Sequence, residues 1–165
     1  MTLTEIMTLR LQPAIKECRL HQRRLDYACE QLGETFPLSA ASWQGLDDET
    51  VAGLDQLLFR YNKLQDAMGQ RLFPAILALG GEWHDEETFI DKLNRLERLG
   101  AIPSAEQWNA LRQIRNRMTH EYPDAPEQNA ANINRVAASI PELKAALAQA
   151  EAYAEELANR LVRSD

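Results

Sequence analysis

Residues 104–123 read SAEQWNALRQIRNRMTHEYP, and the spacing within them decides what kind of fold this chain has. Ser104 is placed to cap a helix, Gln107 three residues later completes a capping box, and Glu106 puts negative charge in the first turn. At the other end Pro123 cannot extend a helix and pushes Tyr122 toward extended geometry. Between them Trp108, Leu111, Ile114 and Met118 recur at steps of three and four. That is one apolar stripe, and it must face a core.

The polar residues of the same helix fall into order at roughly 100° per residue. Arg112, Arg115, Asn116, Thr119 and His120 share one flank beside the stripe, while Arg117 points to solvent. Arg115 and His120 therefore border a common groove, with Asn116 one turn before His120. Five residues is not a face-to-face spacing, so one helix alone makes only a loose pair. His120 sits in the last turn, where the helix C-terminus favours its protonated form. A cation beside a titratable imidazole and a polar amide suits stabilisation of a phosphorane-like anion. A salt-bridged surface helix ending in a capping histidine is the other reading of these residues.

Working outward, the rest of the chain has the same character. Its 165 residues are 45% hydrophobic, enough for one domain with a real core over 1–165. Seven Gly and seven Pro are too few for a turn-rich β fold. The expectation is an all-α, up-and-down bundle of four to five main helices. The net charge of −7 excludes a protein that coats nucleic acid through a broad basic surface. It leaves room for a local basic groove, and it suits docking to a basic partner.

The first helix is predicted from Leu3 or Pro13 to Leu32, Pro13 either opening it or kinking a longer one. Ile15, Cys18, Leu25, Ala28, Cys29 and Leu32 give its inner face, and His21, Arg23 and Arg24 read as its solvated side. Cys18 and Cys29 lie about three turns apart, too far to bridge within a helix, and are expected as free thiols in a reducing cytoplasm. Residues 33–49 read as a loop with Trp43 as an anchor on the bundle. Asp47 or Asp48 starts a second long helix whose stripe runs Val51, Leu54, Leu57, Leu58, Tyr61, Leu64, Met68, Leu72, with Pro74 kinking or breaking it. Asn62 and Asp66 sit one turn apart on its flank, where Asp66 reads as an ordinary surface carboxylate.

Gly80-Gly81 stops that helix, and a third runs from about Glu86 to Leu99. Glu82, Asp85, Glu86 and Glu87 read as a charged helix entrance. His84 has no second His or Cys at ligand spacing, so no metal and no cofactor is expected. The last segment, from about Pro126 to Val162, is predicted to bend or restart at Pro141 with Ser139 as cap. Its apolar residues Leu143, Leu147, Ala150, Ala154 and Leu157 can close the bundle or meet a partner helix. No run approaches bilayer length and no signal peptide stands at the start, so the expectation is a cytoplasmic protein.

Arg115-Asn116-Arg117-Met118-Thr119-His120-Glu121-Tyr122 resembles the Arg, any four, His, any one, Tyr motif of HEPN domains. More specifically it is similar to the HepT toxin group, which pairs with MNT-type nucleotidyltransferase antitoxins. Asn116 matches the polar residue those domains favour after the Arg. FRYNKLQDAMGQRLF (59–73) resembles the group's long second helix, and the likeness extends over residues 45–160. The resemblance implies a metal-independent ribonuclease with Arg115 and His120 catalytic, and with Asn116, Thr119 and Asp66 as accessory groups. It implies a homodimer acting on RNA, and Tyr122 as the site where the cognate antitoxin attaches AMP. A non-catalytic, substrate-binding or partner subunit of a minimal nucleotidyltransferase is the alternative, and a purely structural helical adaptor is a third.

Overall fold

A computed structural model describes residues 1–118 and 121–164, the last by its backbone. Thr119, His120 and Asp165 lie outside the described residues. The described residues form helices and connecting turns, with no strand among them. Six helices follow one another: α1 (residues 3–32), α2 (Ala40–Gln44), α3 (residues 48–79), α4 (Phe89–Leu99), α5 (Ala105–Met118) and α6 (Pro126–Ser164). The four long ones alternate in direction. Arg71 meets Glu17 and Leu32 packs on Gly53, so α1 and α3 run antiparallel. Gln65 reaches Leu111, turning α5 back along α3. Arg19–Glu151 and Asp26–Lys144 align α6 against α1.

One hydrophobic cluster draws on every long helix and on α4. Tyr61, Leu64, Met68 and Leu72 of α3, Leu93 and Leu96 of α4, and Leu143, Ala150 and Ala154 of α6 are all sealed from water. The C-terminal apolar residues thus close the bundle. Trp108 and Leu111 are buried at its edge, while Ile114 and Met118 are half-buried against it. Among the described residues no helix is long and apolar enough to cross a membrane.

The prolines act differently from the sequence expectation. Pro13 and Pro74 each follow a π-type turn, Met7–Leu11 and Met68–Leu72, and the helix continues through both. A proline ring strikes the carbonyl four residues back and donates no hydrogen bond. The wider turn absorbs this, because the Gln12 and Phe73 N–H groups reach five residues back, to Met7 and Met68 oxygens. α3 is therefore not broken at Pro74. Nor does α6 restart at Pro141, which lies inside one continuous helix. Ser139 caps nothing there: its buried hydroxyl donates to the Val136 carbonyl at 2.9 Å and shares a 2.7 Å hydrogen bond with the Tyr61 hydroxyl.

Three other expectations change. Residues 33–49 include the short helix α2, because Ser39 and Ser42 cap each other reciprocally. The segment is tied down where Asn134 bonds both the N–H and the carbonyl of Leu38, at 2.7 and 2.8 Å. α4 begins at Phe89 rather than Glu86, since Thr88 and Asp91 form its capping box. Two of the acidic residues before it, Glu82 and Glu87, are paired with Arg95, so they neutralise a cation as well as flank a helix start.

His21 is the third. It is buried against α3 rather than solvated, its Nδ1 3.0 Å from Arg60 Nη1 and its Nε2 3.7 Å from Glu17. Cys18 and Cys29 are free thiols, and burial beside Glu17 pushes Cys18 up to about 12.

Candidate functional site

α5 starts where the sequence says it should: the Ser104 hydroxyl accepts from the Gln107 N–H at 2.9 Å. From that start, helical spacing turns Arg112 and Arg115 to the flank that faces α3. Across the seam the second half of α3 presents Gln65, Asp66 and Gly69. The two flanks meet in one ion pair, between Arg115 Nη1 and Asp66 Oδ1. Both side chains are about two-thirds buried, at 31% and 28% exposure, so the pair is shielded from bulk water yet reachable from it. An ion pair of this kind fixes a guanidinium in place more than it stabilises the fold.

The pair stands at a cleft of about 220 Å³. Gly69 and Trp108 form its floor, and Arg112, Arg115 and Phe89 form its walls. Trp108 is held edge-on by Phe73, with ring centroids 4.7 Å apart and planes at 63°. The Arg112 guanidinium lies 5.0 Å from the Phe89 ring centroid. Gly69 belongs to the π-type turn before Pro74, so the proline and the cleft floor are parts of one local device. Such turns recur at functional sites because they re-aim a helix surface without ending the helix.

Along α3 and α5 near the ion pair, several polar atoms are buried. The Gln65 amide donates to the Leu111 carbonyl at 2.9 Å, fixing the α3–α5 register. Asn62 Oδ1, Gln65 Oε1 and Trp108 Nε1 are buried with no hydrogen bond among the described residues. Each such atom costs about 1–3 kcal/mol, a burden cores avoid and functional sites tolerate.

Of the residues named from sequence, Arg115 and Asp66 are brought into contact across 49 positions of chain. Asn116 is exposed on α5. Thr119 and His120 lie outside the described residues. Tyr122 is 41% exposed, and its backbone is clamped from both sides by Asn129, at 3.1 Å to its N–H and 2.7 Å to its carbonyl. Phe89, Gly69 and Gln65 were not anticipated as parts of the site. Phe89 carried a faint signal as a large apolar residue at the first turn of its helix, where burial is hard to complete. Among the described residues no three His, Cys, Asp or Glu side chains gather to hold a metal ion.

No protein-family model matches this chain, and neither the curated proteins nor the solved structures include a match to it.

Proposed function

We propose that this protein is a metal-independent HEPN-type endoribonuclease toxin, working in the cytoplasm as a homodimer. In this reading a cognate MNT-type nucleotidyltransferase neutralises it. The observation that carries the reading is the contact between Arg115 and Asp66 at an open cleft. The resemblance implies a catalytic role for Arg115 and an accessory one for Asp66.

His120 acts as the general base, taking the proton of a ribose 2′-hydroxyl. The 2′-oxygen attacks the adjacent phosphorus and the 5′-oxygen leaves with a proton given by the second subunit's His120 as general acid, leaving a 2′,3′-cyclic phosphate. Arg115, aimed by Asp66, balances the charge that builds on the phosphoryl oxygens. A second subunit brings its own Arg115 and His120 to the same pocket, which corrects the loose spacing within one helix.

The inhibited form follows from Tyr122. Its phenol oxygen attacks the α-phosphorus of a nucleoside triphosphate bound by the partner, and pyrophosphate leaves. The added AMP places an anion next to Arg115 and His120 and closes the cleft to RNA. The exposed Tyr122 ring on a backbone fixed by Asn129 supports this role.

The partner-subunit reading draws on the same ion pair, because Asp66 already neutralises Arg115. RNA cleavage by pure protein separates the two. Wild type is expected to cut, and His120→Ala and Arg115→Ala are expected to lose both cleavage and growth inhibition. Equal behaviour of all three on RNA and in growing cells would end the toxin reading.

A further inference from the structure

The cleft does not stand alone on α3. Phe59 is 52% exposed, an unusual position for a large aromatic in the middle of a packed helix. It is flanked by cations, with Arg60 Cζ 5.2 Å and Lys63 Nζ 5.6 Å from its ring centroid. Phe59, Lys63 and Asp66 follow at steps of four and three, so they share one face of the helix. Seven residues of rise put Phe59 ~10 Å from Asp66 along that face. Beyond Asp66 and Arg115, Phe89 and Arg112 repeat the arrangement of an accessible ring beside a cation.

The helix segments on either side of the α3–α5 seam are rich in cations. Residues 59–71 and 105–118 carry Arg60, Lys63, Arg71, Arg112, Arg115 and Arg117 against only Asp66 and Glu106, in a chain with 18 basic and 25 acidic side chains. Asp66, the acidic residue of the α3 stretch, is neutralised by Arg115. Arg60 and Arg71 turn toward α1, where they meet His21 and Glu17, so the unpaired cations beside the open rings are Lys63 at Phe59 and Arg112 at Phe89.

We infer that Phe59 with Lys63, and Phe89 with Arg112, are two base-stacking subsites on either side of Arg115, together forming a track for single-stranded RNA. A ring stacks on any base and needs no sequence, while the cation beside it meets the flanking phosphate. Double-stranded RNA hides its bases and cannot use such rings. This inference rests on the ribonuclease reading for its purpose, but its binding can be measured without catalysis.

The test uses the full chain and a fluorescein-labelled 2′-O-methyl oligouridylate of about 12 nucleotides, which cannot be cut, read by anisotropy. Phe59→Ala is expected to weaken binding about tenfold, and Phe89→Ala to a similar degree. Lys63→Gln should lower the slope of log affinity against log salt by about 0.7. Leu9→Ala, which removes an exposed apolar side chain (66%) near the start of α1, should change nothing. The same sequence as a duplex should bind more weakly than the single strand. Wild-type affinity in Phe59→Ala and Lys63→Gln, or equal affinity for duplex, overturns the track. So does a Phe59→Ala protein that binds RNA normally but loses its nucleotidyltransferase partner, since the face is then a protein interface. On a cleavable strand, Phe59→Ala should raise KM and spare kcat. Cleavage with KM unmoved removes the track and leaves the ribonuclease standing. Binding losses as expected without any cleavage remove the ribonuclease and leave the track.

Discussion

α3 carries two polar clusters on two of its faces, and they are built to opposite ends. Toward α1, Arg60 bonds His21, which also faces Glu17, itself paired with Arg71. Toward α5, Asp66 holds Arg115. Both join helices with a charge and a hydrogen bond. The first is sealed at its centre, where His21 is only 9% exposed between the buried Cys18 and Leu25, although Arg71 at its rim is open to solvent. The second opens on a cleft, and atoms beneath it lack partners. A cluster meant as glue covers its central group. A cluster meant to meet a ligand keeps a cation in reach at a cleft.

The largest effect should come from breaking the open cluster. Arg115→Ala is expected to reduce RNA cleavage by about 10²–10³-fold while moving stability by no more than about 1 kcal/mol, because an ion pair still reached by solvent contributes little to folding. Parallel rate and melting measurements check this. A large loss of stability with unchanged cleavage would make the α3–α5 pair glue like its counterpart, and the contrast would fail.

Next comes a buried hydrogen bond on the sealed side of α3. Tyr61→Phe removes the hydroxyl that shares a proton with Ser139. The loss should be about 1 kcal/mol, or a melting shift of roughly 2–4 °C, with cleavage unaffected. The Val136 carbonyl still receives the Ser139 hydroxyl, which is why the loss stays small.

The closed cluster should reveal itself in acid. Burial first, then the Arg60 guanidinium and Lys63, hold the His21 imidazole below its ordinary range, and Glu17 opposes them only in part. The unfolded chain then binds a proton at a higher pH than the folded one does. Stability from this site is complete above the unfolded value of about 6.5 and falls as pH drops through that value toward the folded one. Melting curves between pH 7.5 and 5 check this: His21→Gln should flatten the part of the slope that wild type shows below about 6.5. A wild type with no slope there would mean that His21 is not held neutral.

These two clusters also show where the sequence was legible. The α5 stripe, its Ser104 cap and the α3 stripe from Leu54 onward are local, so spacing alone gave them, while Val51 near the start of α3 stays 40% exposed. The Arg115–Asp66 contact is not local. Each residue could be put on a flank, but only the antiparallel packing of α3 and α5 brings the flanks together. His21 is a different kind of miss. Ala14, Cys18, His21, Leu25, Ala28 and Leu32 follow at alternating steps of four and three, and all six are buried. The period put His21 inside, and its polarity read it outside; periodicity wins when a partner such as Arg60 satisfies the ring. The prolines failed for a third reason. A proline signals that a helix must adjust, and the sequence does not say that one wider turn will be enough.

The smallest effect tests that wider turn. Gly69 lies within it and forms the cleft floor. A Cβ there would come within 3.5 Å of Trp108 Cζ2 and 3.8 Å of Phe89 Cζ, ordinary contact distances that force nothing to move. Gly69→Ala should therefore fold well, and by limiting the unfolded chain it should gain about 0.5–1 kcal/mol. The same methyl group fills part of a 220 Å³ cleft between Trp108 and Phe89, so RNA cleavage should slow through a raised KM. Stability up and affinity down from one methyl is the signature of a position kept open for a ligand. If the alanine variant is both more stable and fully active, the turn serves only to accommodate Pro74, and α3 is the same kind of scaffold on both its faces.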